Sequence, residues 1–342
     1  MEKKNLTIKD IARLSGVSPA AVSFAINGRN GISPETRKKI QGVIKETGFH
    51  PSMAPRRLTS HKSYNIAIIY PTEASPFESL FYYEVAQGLT EELTRAGFNV
   101  VLVPLEMEDN AYAMPKIIRR KDTDGAIFLY DMPKSLMREI EGLGLPYVLV
   151  DWQSEGSGGV CVELDCEKSI VSAMNYLFEK GHREIGFVGS DDLPVYYLRC
   201  FKSYQGILAE KRLQIYPNWV QSEVHDVENA VACLERIFSL PQKPTALCCS
   251  SDMCAIRIIQ AAGNMNIKIP EELSLISIDD IILSRYVFPP LTTVSYDKEY
   301  IGRTSAGLLL KLMDGEKAEN IVIRRHTVVE RMSVREISVG RA

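Results

Sequence analysis

The stretch from Thr7 to Gly28 confines the start of this chain to one small set of shapes. It reads Thr-Ile-Lys-Asp-Ile-Ala-Arg-Leu-Ser-Gly-Val-Ser-Pro-Ala-Ala-Val-Ser-Phe-Ala-Ile-Asn-Gly. Thr7 is placed to N-cap a helix, with Asp10 three residues on as a loose variant of the capping box. Ile8, Ile11, Ala12 and Leu14 share one face at helical spacing. Ser15-Gly16-Val17 makes the turn: Gly16 can take a positive φ and Val17 can plug the gap between helices. Ser18 caps a second helix with Pro19 at its first position, where no backbone N–H is needed. Ala21, Val22, Ala25 and Ile26 supply its buried side. Pro19, Ala20, Ser23, Phe24 and Asn27 are left to face outward. A third helix begins at the Ser33 cap with Pro34, carries Glu35 in its first turn, runs to about Thr47 and ends at Gly48. Two helices joined by a tight turn cannot bury a core alone, but their geometry suits the DNA major groove.

Charge supports that reading. Residues 1–63 hold 12 Lys and Arg against 4 Asp and Glu, a net +8, whereas the rest of the chain holds 28 against 39, a net −11. The overall −3 therefore hides a basic head on an acidic body, and such a head implies a polyanionic partner. A three-helix cap on an enzyme gives no reason for the asymmetry. At 342 residues the chain has room for two or three domains. No apolar run reaches membrane-spanning length, and Met-Glu-Lys-Lys-Asn lacks the apolar segment of a signal peptide. Cys161, Cys166, Cys200, Cys233, Cys248, Cys249 and Cys254 contain no Cys-x-x-Cys pair, so they read as reduced, mostly buried thiols rather than a metal or redox motif. The expected compartment is the cytoplasm, with no membrane partner and no cofactor.

Pro51, Pro55 and the serines of residues 50–63 mark a linker. Beyond it strand and helix patterns alternate. Apolar strands are expected at Asn65–Tyr70, Phe98–Val103, Gly125–Leu129, Pro146–Val150 and Val160–Leu164, then at Glu184–Val188, Thr245–Cys249 and Leu273–Ile278. Continuous apolar strands such as Ala126-Ile127-Phe128-Leu129 belong to parallel sheets covered on both faces. The span is too long for one sheet, so the fold class is α/β with two doubly wound lobes. Ligands of such folds bind beyond the carboxyl ends of the strands, and two facing lobes make a cleft that a small molecule can close.

Five segments occur in a fixed order: Thr7–Gly28; Pro51–Leu58; Gly181-His182-Arg183-Glu184-Ile185-Gly186-Phe187-Val188-Gly189; Ile278-Asp279-Asp280; and Pro289-Pro290-Leu291-Thr292-Thr293-Val294. Together they resemble the LacI/GalR family of bacterial transcription regulators over nearly the whole chain. The resemblance implies a helix-turn-helix head at 1–49, a hinge at 50–63 and a periplasmic-binding-protein-like effector domain at 64–342. It places lobe 1 at about 64–163 and 296–324, and lobe 2 at about 164–295 and 325–340. It also implies a homodimer on a pseudo-palindromic operator, each head reading one half-site.

Carried over residue by residue, Pro19, Ala20 and Phe24 face bases, with Ser23 close to bases or backbone. Thr7, Ser18, Asn27 and Ser33 match phosphate-touching positions, which fix register; a cap with no DNA role is the alternative. Leu58 matches the leucine that wedges into the minor groove, and Arg56 and Arg57 add phosphate or minor-groove contacts. Phe24 departs from the family's polar or basic reader: it cannot hydrogen-bond a base edge but can touch a thymine methyl. Pro55 falls where the family carries a hinge helix, so that helix starts later, is shorter, or does not form.

The effector contacts implied on lobe 1 are Ser75 and Phe77, Tyr130 and Asp131, and Asp151 with Trp152; on lobe 2 they are Arg199 or Cys200, His225, Asp252 and Asp279. Carboxylates at strand ends suit sugar hydroxyls. The family's arginine clamp, four residues before an aromatic, falls on Cys200 when counted from Tyr204, with Arg199 one position off. A sugar or sugar derivative is the expected effector; a nucleoside or a protein corepressor is the alternative. No leucine heptad tail follows the last strand near Thr327–Glu330, so a dimer is expected. Enzyme readings find no Gly-x-Gly-x-x-Gly after a strand, no Walker loop and no nucleophile elbow, so the chain reads as a regulator and not an enzyme. A transport binding protein would not carry the basic head.

Overall fold

A computed structural model describes residues 6–26, 28–49, 62–71, 75–77, 79–108, 111–151, 158–190 and 194–337. The chain divides into two units, Met1–Ser63 and Tyr64–Ala342.

In the first unit three helices form, α1 (Ile8–Ser15), α2 (Pro19–Ile26) and α3 (Pro34–Thr47). Ile11, Val22 and Ile40 are fully buried, one from each helix. The apolar stripe of α1 is set at i, i+3, i+4 and i+7 from Ile8, so it ends on Ser15. Leu14, expected on that stripe, lies off it and is 53% exposed; Ser15 is buried instead and donates to the Ile11 carbonyl at 2.7 Å. The Arg37 guanidinium of α3 donates to the carbonyls of Phe24, Ala25 and Arg29, at 3.3, 3.2 and 2.5 Å. It thus satisfies carbonyls that the end of α2 leaves without intrahelical partners, and its charge complements the helix dipole.

The second unit is α/β. Its chain runs β1 (Asn65–Tyr70), α4 (Leu80–Arg95), β2 (Asn99–Pro104), a small hairpin of β3 (Met107–Glu108) and β4 (Ala111–Tyr112), α5 (Lys116–Arg119), β5 (Gly125–Leu129), α6 (Lys134–Gly142), β6 (Tyr147–Val150) and β7 (Val160–Leu164). It continues through α7 (Cys166–Glu179), β8 (Ile185–Val188), α8 (Pro194–Glu210), β9 (Val220–Gln221), α9 (Val227–Phe238), β10 (Ala246–Cys249) and α10 (Asp252–Asn264). The remaining elements are β11 (Ser274–Asp279), β12 (Thr292–Ser295), α11 (Lys298–Met313), β13 (Ile321–Ile323) and β14 (Thr327–Val329). Two six-stranded sheets result, ordered β13-β7-β6-β5-β1-β2 in lobe 1 and β14-β12-β11-β10-β8-β9 in lobe 2. All neighbours are parallel except β12 with β14. β1, β5, β6, β8 and β10 are buried along their whole length, as strands covered by helices on both faces must be. The chain crosses between the lobes three times, after β7, after β12 and after β13.

Two local devices hold this arrangement. α4 and α11 cross backbone to backbone: a Cβ on Gly302 would stand 2.1 Å from the Val85 carbonyl oxygen, and one on Gly88 would stand 2.1 Å from that of Glu299. Gly302→Ala must push the helices apart, and we expect it to cost about 1–3 kcal/mol. A thermal unfolding curve matching the wild type would contradict this close approach.

The second device is the Gly181-His182-Arg183 motif. Gly181 has φ +89°, and a Cβ there would meet the Ile337 carbonyl at 2.3 Å. His182 is fully buried, with Nδ1 2.9 Å from the Thr245 hydroxyl and Nε2 3.1 Å from the Arg335 carbonyl. Only a donor can bond that carbonyl, so the ring proton sits on Nε2. The motif therefore straps residues 333–337 onto lobe 2. Burial lowers the His182 pKa from 6.5 to about 4. Between those values the unfolded chain binds a proton that the folded chain refuses, so this residue's contribution is present above pH 6.5 and is lost as pH falls toward about 4. Urea midpoints at pH 7 and pH 5 are expected to differ less for His182→Gln than for the wild type.

Candidate functional site

The head presents the start of α2 to solvent: Ser18, Pro19 and Ala20 are exposed, while Ser23 and Phe24 are half-buried. Thr7, Ser18 and Ser33 are all helix N-caps. Thr7 and Asp10 form a complete capping box, in which the Thr7 hydroxyl accepts from the Asp10 N–H at 3.4 Å and donates to its carboxylate at 2.7 Å. Ser33 accepts from the Thr36 N–H at 3.1 Å and lies 2.8 Å from the Thr36 hydroxyl. Ser18 accepts from the Ala21 N–H at 3.2 Å, which leaves its own hydroxyl hydrogen outside that bond. The Phe24 ring packs on Gly31, where a Cβ would approach it to 3.0 Å at φ +120°. One edge of the ring is thereby covered by the loop before α3. Asn27, Pro55, Arg56, Arg57 and Leu58 lie outside the described residues, and so does the expected hinge helix.

In the body, a cavity of about 360 Å³ opens where the two sheets present their carboxyl ends. Lobe 1 contributes the first turn of α4, from Ser79 to Tyr82, together with Asp151 and Leu164. Lobe 2 contributes Ser190, Tyr196, Ser250, Ser251, Met253, Arg257, Asp279 and Ile281, and Cys166 and Tyr296 lie by two of the crossovers. Strand ends turn sharply here: Tyr130, Asp151, Asp279 and Asp280 all take positive φ, at 69°, 60°, 118° and 51°. Non-glycine residues rarely do so, and such strain gathers at functional sites.

Several polar groups of the cavity are already committed to the protein. Tyr82 donates to the Asp151 carboxylate at 2.8 Å, Tyr196 to the Ser250 carbonyl at 2.9 Å, and Tyr296 to the Asp165 carbonyl at 2.9 Å. Three phenolic hydrogens are thus spent on protein acceptors, and the Tyr296 oxygen is itself taken by the Ser169 hydroxyl. Arg257 donates to the Val224 carbonyl at 3.0 Å. Burial, then the Asp151 carboxylate, pushes the Tyr82 pKa well above the tyrosine range. Burial, then the Asp252 carboxylate, pushes the Asp279 pKa well above the carboxylate range. A mostly apolar pocket edged by tyrosine and serine hydroxyls, aspartate carboxyls and the Arg257 guanidinium suits a ligand that both donates and accepts hydrogen bonds.

Of the effector residues read from sequence, Asp279 and Asp151 line this cavity, and Trp152 lies outside the described residues. The others stand elsewhere. Ser75 is buried and accepts from the Phe77 N–H at 3.3 Å, whereas Phe77 is 75% exposed. Tyr130 packs against the lobe 1 core, and Asp131 follows it half-buried. His225 is one shell back, with Nδ1 2.9 Å from the Ser190 hydroxyl.

Asp252 needs correction. Its side chain is fully buried, and its carboxylate accepts from Ser277 at 2.5 Å, Thr293 at 2.6 Å, the Ile281 N–H at 2.9 Å and the Ser284 hydroxyl. Four protein donors saturate it, so none of its capacity is left for an effector. Arg199 turns instead to Glu167 at 3.3 Å, and Cys200 is buried in the lobe core. The residue of α8 at the cavity is Tyr196, and the arginine there comes from α10 as Arg257. Tyr82, Tyr196, Ser250 and Arg257 were not foreseen; only Tyr82, in the first turn after a strand end, left a usable signal.

These geometries accord with what comparison finds. Residues 7–52 match the family described as bacterial regulatory proteins, lacI family, and residues 174–334 match the periplasmic binding protein-like domain. The chain belongs to the LacI family. This LacI-family chain is 28% identical to catabolite control protein A of Priestia megaterium, over 94% of its own length and 96% of the relative's. It is 26% identical to the HTH-type transcriptional repressor PurR of Vibrio cholerae serotype O1, over 97% and 99%. Among solved structures, the Lac repressor dimer bound to operator and an anti-inducer superposes with a TM-score of 0.81 at 19% identity, covering 97% of this chain and 100% of that one. A CelR–cellobiose complex gives 0.69 at 22% identity, covering 96% and 99%. The LacI-family regulator described here thus carries a helix-turn-helix head and a two-lobed effector domain, and none of its described helices is long and apolar enough to cross a membrane.

Two substitutions separate the aspartates. Asp252→Asn keeps one acceptor oxygen but turns an amide donor on two of the four donors, and we expect a loss of about 1–3 kcal/mol. Asp279→Asn is expected to stay within about 1 kcal/mol of the wild type. Urea unfolding of both variants checks the contrast, and equal losses would remove the distinction.

Proposed function

We propose that this protein is a cytoplasmic repressor of a catabolic operon, whose grip on operator DNA is set by an uncharged, hydroxyl-rich small molecule, a sugar or sugar derivative, held between the lobes. The observation that carries the ligand class is the spent hydrogens of Tyr82 and Tyr196 beside the Asp151 and Asp279 carboxyls. Such a wall accepts hydrogen bonds from the hydroxyls of a ligand. The relatives' printed roles, catabolite control and transcriptional repression, and the cellobiose in the CelR complex support the same reading.

The protein acts as a homodimer through lobe 2. Tyr286, Phe288 and Met332 are 77%, 87% and 61% exposed, and Met332 is joined to the segment by its N–H to the Pro290 carbonyl at 3.0 Å. An apolar group of this kind marks a self-complementary interface. Two heads then read two half-sites, Ser18 and Ser33 at phosphates and Pro19, Ala20, Ser23 and Phe24 toward bases.

A thermal-shift panel on the purified full chain tests the ligand class. Sugars, sugar phosphates, polyols and nucleobases are each added in excess, because a ligand that binds only the folded state raises the melting temperature. Neutral sugars or polyols are expected to raise it and to change operator affinity, while the matching phosphates leave it unmoved. A shift with sugar phosphates or nucleobases alone would overturn the assignment.

A further inference from the structure

Lys298 opens α11 and is only 3% exposed, an unusual place for an ammonium. Its Nζ lies 2.7 Å from the Asp279 carbonyl oxygen, 3.0 Å from that of Asp280 and 3.5 Å from the Glu84 carboxylate. All three of its hydrogens therefore have an acceptor. Those acceptors belong to different lobes. Asp279 and Asp280 end β11 of lobe 2, and Glu84 lies on α4 of lobe 1, whose first turn lines the cavity.

The carbonyls it holds are those of two successive residues with positive φ, neither of them glycine. That kink is what leaves the Asp279 side chain at the cavity wall. Arg331 secures the far side through the Asp280 carboxylate, and Thr293 accepts the Asp280 N–H at 3.3 Å. Both of these partners sit within lobe 2. Lys298 alone among the partners named here reaches across from the helix packed on lobe 1.

We propose that Lys298 is a positioning residue that locks the Asp279–Asp280 kink of lobe 2 to α4 of lobe 1, so that the aim of the Asp279 carboxyl and the angle between the lobes are set together. The ammonium needs both halves. Its bonds to the carbonyls hold the kink, and its pairing with Glu84 ties that kink to the helix bearing Tyr82. A change at Asp279 is then felt by lobe 1 without any ligand spanning the gap. This coupling does not depend on which effector the cavity takes.

The test measures the lobe–lobe distance in the full-length protein by pulsed electron paramagnetic resonance. Spin labels go on Arg119→Cys in lobe 1 and Glu235→Cys in lobe 2, both exposed, while the seven native cysteines are all buried. Labelled chain is diluted with unlabelled chain so that only distances within one chain are read. Lys298→Met is expected to broaden the distribution and move its mean by more than about 2 Å. Lys298→Arg, which keeps the donors, is expected to stay near the wild type. Glu84→Gln leaves the carbonyl bonds in place, and it is expected to shift the mean part of the way. If Lys298→Met folds with an unchanged distribution and only a lower melting temperature, the residue is merely structural and the proposal fails. If Lys298→Met does not fold, an unchanged distribution in Glu84→Gln overturns it.

Discussion

The floor of the cleft rests on a carboxylate buried among hydroxyl and amide donors. Asp252 gathers hydroxyls from β11, from β12 and from the loop between them, and it takes the Ile281 N–H besides. Burial pushes its pKa up, and the four hydrogen bonds pull it back. A charge in this setting survives only where its donors are already in place, so the loops around it are held to one arrangement. That knot pins the start of the loop between β11 and β12 at Ile281 and Ser284, directly after the kink at Asp279 and Asp280.

The two lobes meet their requirements differently. Lobe 1 is closed by a pair of helices that touch through glycines, so its geometry is fixed by the absence of side chains. Lobe 2 is closed by polar side chains and by an aromatic ladder in which Phe187 lies 5.2 Å from Tyr204 and 5.8 Å from Phe201. The cavity inherits both characters. Its lobe 1 wall is a helix end held rigidly from behind. Its lobe 2 wall is made of strand ends held by hydrogen bonds, and the strained strand end at Asp151 joins it from lobe 1.

Much of the fold was legible in the sequence because burial writes itself as composition. Ile66-Ala67-Ile68-Ile69 and Ala126-Ile127-Phe128-Leu129 are continuous apolar runs, and both are buried strands. The caps at Thr7, Ser18 and Ser33 were legible for a similar reason, since a short polar residue before a helix has few other uses. The site was less legible. An aspartate after a strand looks the same whether it faces a ligand or the wall behind it, and Asp252 and Asp279 fell on opposite sides of that line. Arg199 and Cys200 were read from a helix register whose rotation no local pattern fixes; the rotation follows from packing on β8. Leu14 was grouped with Ile8, Ile11 and Ala12 at helical spacing, although the i, i+3, i+4, i+7 stripe from Ile8 ends on Ser15.

The strap at the end of the described chain bears on how such a protein is made. β13 completes the lobe 1 sheet and β14 the lobe 2 sheet, and the Ser333 hydroxyl then accepts from the Thr292 N–H and donates to the Leu275 carbonyl. The neighbouring residues Arg335 and Ile337 close over His182 and Gly181. Both sheets are therefore missing an edge until residues beyond 320 have been synthesised. During translation the head has the means to fold early, from contacts close in sequence, while the body waits with open strand edges. The chain becomes capable of a DNA-reading head well before it owns the domain that governs that head, and the arrival of β13 and β14 decides when control begins.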